Sequence, residues 1–159
     1  MRSSTSAATA EHDTVVCDID VLNALLRGEV AAVETYDQVI AKFAGHPQAI
    51  ELQKMRDEHE ESAAVLRERV RHFGGDPSEG SGAWGKLTAA ITGAAKIFGP
   101  ASALGALKQG EEYGIGQYEN ALTDPEVDTD DRELIRFRLL PRARAHSAAL
   151  DAMIEAVKK

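Results

Sequence analysis

Glutamate and histidine recur at matched places in the two halves of this chain, and they are the residue types with most chemistry to offer. Glu29 stands in "RGEVAAVETY" and Glu111 in "QGEEYGIGQY", each directly after a glycine (Gly28, Gly110) and each on one helical face with a tyrosine (Tyr36, Tyr118). Superimposing the halves aligns Glu29 with Glu111, Val33 with Ile115, Tyr36 with Tyr118 and Ile40 with Leu122. The partner segments align His59 with His146, Leu66 with Met153 and Val70 with Val157. A pseudo-twofold of this kind gathers two carboxylates, two imidazoles and two phenols near the middle of the fold. Carboxylates and imidazoles converging in an apolar interior are what a metal ion such as iron or manganese needs, because buried charge is costly unless paired or coordinated. Glu29, His59, Glu111 and His146 are the expected ligands, with the neighbours Glu34 and Glu112 as candidates to complete the set.

The same residues support a plainer reading. Arg142, one turn before His146, and Arg56, at the edge of its own stripe, carry charges that could neutralise Glu29 and Glu111 in a buried polar layer without any metal. Tyr36 and Tyr118 are more ordinary as core aromatics with a satisfied hydroxyl than as redox groups. The acids around His59 (Asp57, Glu58, Glu60, Glu61) read as a solvated face, and Asp37 and Glu119 flank the tyrosines from the repeat-related side. Cys17 sits near a helix start, where thiol pKa falls, but no basic partner is close in sequence.

Apolar spacing supplies the elements that must hold these groups. Leu22, Leu26, Glu29, Val33, Tyr36, Ile40 and Phe43 step by three and four, a helix with an acid in its seam, expected to start near Val16 to Asp18 and to stop at "GHP". Leu52, Met55, His59, Ala63, Leu66, Val70 and Phe73 make a second helix, ended by "GGDPSEGSG". Trp84, Leu87, Ile91, Ala94 and Phe98 mark a shorter connector helix expected to lie along the outside, closed by Gly99 and Pro100. Leu104, Leu107, Glu111, Ile115, Tyr118 and Leu122 form the next stripe, and Ile135, Leu139, Arg142, His146, Leu150, Met153 and Val157 the last, with Pro141 expected to bend it. The pattern is all-α: a four-helix bundle of two antiparallel hairpins joined by a long crossover that contains a short helix. Gly114 is expected to let a neighbouring backbone approach closely, and Gly28 and Gly110 to widen their helices and re-aim the following glutamates.

Bulk properties narrow the class. The 159 residues suit a single domain over 15–159 behind a disordered tail over 1–14, which lacks the apolar core of a secretory signal. One cysteine allows no internal disulfide, and a net charge of -8 argues against non-specific nucleic-acid binding. No stretch reaches the roughly 18 apolar residues of a membrane span. The expectation is a soluble, cytoplasmic protein that binds neither nucleic acid nor membrane, with a metal ion and a second copy of the chain as the partners this reading allows.

Two helical hairpins with a long crossover and inward Glu and His resemble the ferritin-like superfamily. More closely, "LLRGEVAAVETY", "GSGAWG", "KIFG", "LKQGEEYGIGQYE" and "LLPRARAH" look like a bacterial ferritin-like four-helix-bundle family of unknown function, domain of unknown function 2383, over about Val21 to the C-terminus. The resemblance implies a fold and a place for metal, with Glu-x-x-His motifs ending at His59 and His146. Here the sequence departs from the pattern, since Arg56 and Ala143 stand where the two bridging carboxylates would be. Three functions follow for testing: a metal-binding protein using iron or manganese in a stress-related redox or storage role, a non-catalytic structural or interaction module with a buried Glu/His/Arg layer, and a binder of an apolar ligand inside the bundle. Whether the chain is an enzyme stays open at this point.

Overall fold

The computed structural model describes the backbone of residues 6–82, 85 and 99–159, and the side chains of that set from Asp18 onward. Helix α1 runs Ser6–Ile40 and tightens into a 3₁₀ turn at Ala41–Phe43 before α2, Gln48–His72. Helix α3 spans Pro100–Thr123; α4 (Thr129–Leu134), a π-helical turn (Ile135–Leu139) and α5 (Leu140–Val157) then follow as one continuous arm. No strand occurs among the described residues. The expected connector helix with Trp84, Leu87, Ile91, Ala94 and Phe98 lies outside the described residues, as does the side chain of Cys17.

Local chemistry sets most boundaries where the sequence puts them. Gly45 takes φ 82° beyond α1 and Pro47 opens α2, while Gly74 at φ 79° ends α2 and Gly99 at φ 87° precedes Pro100 at the head of α3. Asp128 caps α4 by accepting from the Asp130 amide. Two boundaries differ from expectation. Helix α1 begins at Ser6, well ahead of Val16, so the alanine-rich stretch read as a tail is helical from that residue. Before Pro141, where a bend is expected, the helix takes a π turn: the Leu140 amide bonds the Ile135 carbonyl five residues back, a wider loop that accommodates the proline ring.

Cross-links fix the directions. Residues rising along α1 (Asn23, Glu29, Tyr36) meet residues falling through and just beyond α2 (Asp76, His59, Met55), so the pair is antiparallel. Helix α3 meets α5 antiparallel through Lys108 with Asp151 and Glu111 with His146. Helix α1 also packs directly on α3, with Tyr36 at Glu111 and Tyr118 at Glu29. The core divides in two. Leu22, Leu26, Leu66, Val70, Ile135 and Leu139 fill one end, and Val39, Phe43, Leu52, Met55, Leu104 and Leu150 the other. Between them lies a layer of buried polar residues.

Candidate metal centre

Each long helix contributes one member of that layer: Glu29 from α1, His59 from α2, Glu111 from α3 and His146 from α5, none more than 7% exposed. His59 sits between the two carboxylates, its Nδ1 2.7 Å from Glu29 Oε2 and its Nε2 2.8 Å from Glu111 Oε1. The tyrosines cross between the two hairpins. Tyr36, in the first half, donates to Glu111 Oε1 at 2.6 Å, and Tyr118, in the second, donates to Glu29 Oε1. Each buried carboxylate is thus held by the other half's phenol.

His146 repeats half of what His59 does. Its Nδ1 lies 3.4 Å from Glu111 Oε1, in its own hairpin, as His59 Nδ1 faces Glu29 in its own. The match ends at Nε2, which pairs with Glu58 Oε2 at 2.6 Å. Position 145, equivalent to 58 under the repeat, is alanine, so the second half has no counterpart to this carboxylate. The two imidazole rings lie 4.8 Å apart between centroids at 60°.

Proton affinities follow from these contacts. Burial alone would discharge His59, but the charges of Glu111 and Glu29 and their hydrogen bonds outweigh it and raise its pKa to about 10. Burial likewise opposes ionisation of Glu111, yet the His59 charge and hydrogen bond and the neighbouring His146 ring bring its pKa down to about 2. Both tyrosines are pushed well above their ordinary value, first by burial and then by the carboxylates they touch. His59 therefore keeps its proton between Glu29 and Glu111, and both phenols stay neutral.

Among the described residues, His59, Glu111 and His146 each present a donor atom within 4.8 Å of one another, the spacing of ligands around one ion. His146 Nδ1 has no hydrogen-bond partner by strict geometry, which leaves a buried nitrogen aimed at the cluster. Imidazole with carboxylate suits iron, manganese or zinc, so the donor set fits a divalent transition metal. Glu29 is joined to this trio through His59. Glu34 and Glu112, expected to complete the ligand set, are exposed: Glu34 accepts from Ser81 and Glu112 faces Lys108. The reason is rotation, since one or five residues from the inward glutamate carries a side chain far round the helix.

The arginines also fall elsewhere. Arg142 donates to the Glu58 carbonyl at 2.9 Å, to Ser62 at 3.1 Å and to Glu61, while Arg56 pairs with Asp37 at the surface. Neither reaches Glu29 or Glu111, so the expected Arg-neutralised layer is replaced by one in which His59 pairs with both carboxylates. Ala143 occupies the buried seam position expected of Arg142. Glu58, read as part of a solvated run, is the site residue that the pattern hid. Its signal was its place three residues after Met55 and four before the buried Ser62, on the edge of the apolar stripe.

A cavity of about 240 Å³ opens onto the layer between α1 and α3, lined by Ala24, Gly28, Ala32, Ala106, Gly110 and Gly114 among others, with Glu29, Tyr36, His59, Glu111 and Tyr118 at its polar end. The glycines line it without a close contact from the described helices. A Cβ on Gly110 or Gly114 would meet nothing within 4 Å among the described residues, so the second helix does not close on Gly114, while an approach by the connector lies outside the described residues. Nor is there a helix widening at Gly28 or Gly110, where α1 and α3 stay α-helical; the one π turn among the described residues is in the last arm.

Residues 18–124 match the family described as a Domain of unknown function (DUF2383). No curated protein and no solved structure matches the chain.

Proposed function

The chain belongs to the DUF2383 family, and from that starting point we propose that its buried Glu/His layer binds a divalent transition metal, iron or manganese, in a redox or storage role. The observation that carries the reading is the convergence of His59, Glu111 and His146 from three helices, with donor atoms within 4.8 Å of one another in a buried layer. Antiparallel α1/α2 and α3/α5 pairs, with α1 antiparallel to α3, agree with a ferritin-like bundle, in which such a layer is the natural place for metal. Glu29 and Glu58 are the carboxylates that extend the set, each already bonded to one of the histidines.

A metal there would supply one-electron chemistry toward oxygen or peroxide. The chain's own part is to hold and to exchange protons. Coordination by His59 requires loss of a proton that Glu29 and Glu111 now stabilise, so the imidazolium stands in for the cation in the metal-free state. Tyr36 and Tyr118 orient the carboxylates by donating to Glu111 and Glu29.

The test is metal loading of protein purified with chelator. Added Fe(II) or Mn(II) is expected to raise the melting temperature, by about 2.7 kcal/mol of added stability at a hundredfold excess over Kd, and bound metal should fall sharply in His146→Ala and Glu111→Gln. A second reading, a structural polar layer in a non-catalytic module, is favoured by the engagement of both His59 nitrogens with carboxylates. It stands if no ion shifts the melting curve and none co-purifies.

A further inference from the structure

A pocket of about 240 Å³, partly open among the described residues, reaches down to buried charged groups and has room for a small molecule. An engineered apolar cavity of roughly 150 Å³ already holds benzene. We infer that the α1–α3 cavity is a binding chamber for one small, mostly apolar amine, its ammonium head at the Glu29/His59/Glu111 floor and its hydrocarbon body along the alanine and glycine walls.

Three observations meet in this assignment. Small residues on facing helices, Ala24, Gly28 and Ala32 against Ala106, Gly110 and Gly114, give room and a mostly apolar surface, on which Thr35, Gln109 and Gln117 are further polar members. At Gly110 and Gly114 a side chain would project into open space among the described residues, so glycine there weakens α3 without serving a close contact from any described helix. The floor presents two acidic side chains, Glu29 and Glu111, that share the His59 ring, a set of oxygen acceptors that an ammonium head can bond and that would repel the carboxylate of an apolar acid. Three contacts to Glu111 also converge on its Oε1 alone, from Tyr36, His59 and His146, which concentrates donors on one side of that carboxylate.

The inference rests on the proposed function only in sharing the buried cluster, and it is tested on metal-free full-length chain. Hexylamine, hexan-1-ol and hexanoate, equal in length and different in head group, are titrated calorimetrically in the presence of chelator. Hexylamine should bind saturably at one per chain, with hexanoate at least about tenfold weaker. Gly114→Leu should weaken hexylamine by about tenfold or more while melting no lower than the parent; if that variant folds poorly, Gly110→Leu replaces it. Absence of saturable hexylamine binding at millimolar concentration, equal binding of hexanoate, or undiminished binding in a folded leucine variant would each overturn the chamber. Metal uptake is measured separately on the same leucine variant: a chamber without metal binding, or metal binding without a chamber, tells the two readings apart.

Discussion

Glu111 is the most heavily used residue of the layer, contacted by Tyr36, His59 and His146, whereas Glu29 is bonded by His59 and Tyr118. Removing a phenol donor leaves a buried carboxylate short of one partner, so Tyr36→Phe and Tyr118→Phe should each cost about 1.5–3 kcal/mol in urea unfolding. Near-equal losses would support the crossed pairing, and a negligible loss in either would reject it. Arg142→Met removes bonds to a carbonyl and a serine hydroxyl from a partly exposed guanidinium. It should cost on the order of 1 kcal/mol, short of the roughly 3–5 kcal/mol of a broken buried ion pair, and Glu111→Gln should not rescue it. Stability should also depend on pH in a defined way. The folded pKa of His59, about 10, exceeds its ordinary 6.5, so its contribution is full below 6.5 and is lost as pH rises toward 10. Glu111 is depressed from 4.5 to about 2, so its contribution is full above 4.5 and is lost as pH falls toward 2. Maximum stability from this pair therefore lies between those two ordinary values, and His59→Gln should flatten the alkaline limb of unfolding free energy against pH.

At the scale of elements, α3 is a helix kept open where it could have been strengthened. Gly110, Gly114 and Gly116 all have free space for a Cβ among the described residues, and each is expected to gain roughly 1 kcal/mol of stability on change to alanine. Thermal unfolding of the three single variants checks this; destabilisation in any of them would mean that the space is needed for another contact. The last arm makes the opposite point. Its π turn before Pro141 is followed by a buried seam through Leu140, Ala143, His146 and Leu150, which places His146 against Glu111 and leaves Arg142 at the edge.

For the molecule as a whole, the polar layer separates two apolar clusters that share the same four arms. Leu66→Ala in one and Leu52→Ala in the other should each cost about 2–5 kcal/mol, and the double variant should equal their sum within about 0.5 kcal/mol if the layer insulates the clusters. A clear departure from additivity in chemical denaturation would show that packing is coupled across it. A separate charged anchor holds the end of α2 to α4, where fully buried Asp131 accepts from Arg69. Neither residue was singled out by apolar spacing, because an isolated Asp and Arg in different helices look like surface charges until the chain is folded.

Spacing of apolar residues by three and four determined the long helices, and the doubled Gly-Glu followed by Tyr, with a His in each partner helix, determined which polar groups turn inward. These are local and periodic properties, written in the chain itself. Tertiary structure decided who meets whom. That Tyr36 reaches the glutamate of the other half, that His59 rather than an arginine pairs with both carboxylates, and that Glu58 joins from the edge of its stripe all depend on how the helices face one another. The π turn's wider hydrogen-bonded loop set the seam, and the glycines became the wall of a cavity because α1 and α3 stand apart there, a distance that no single helix encodes.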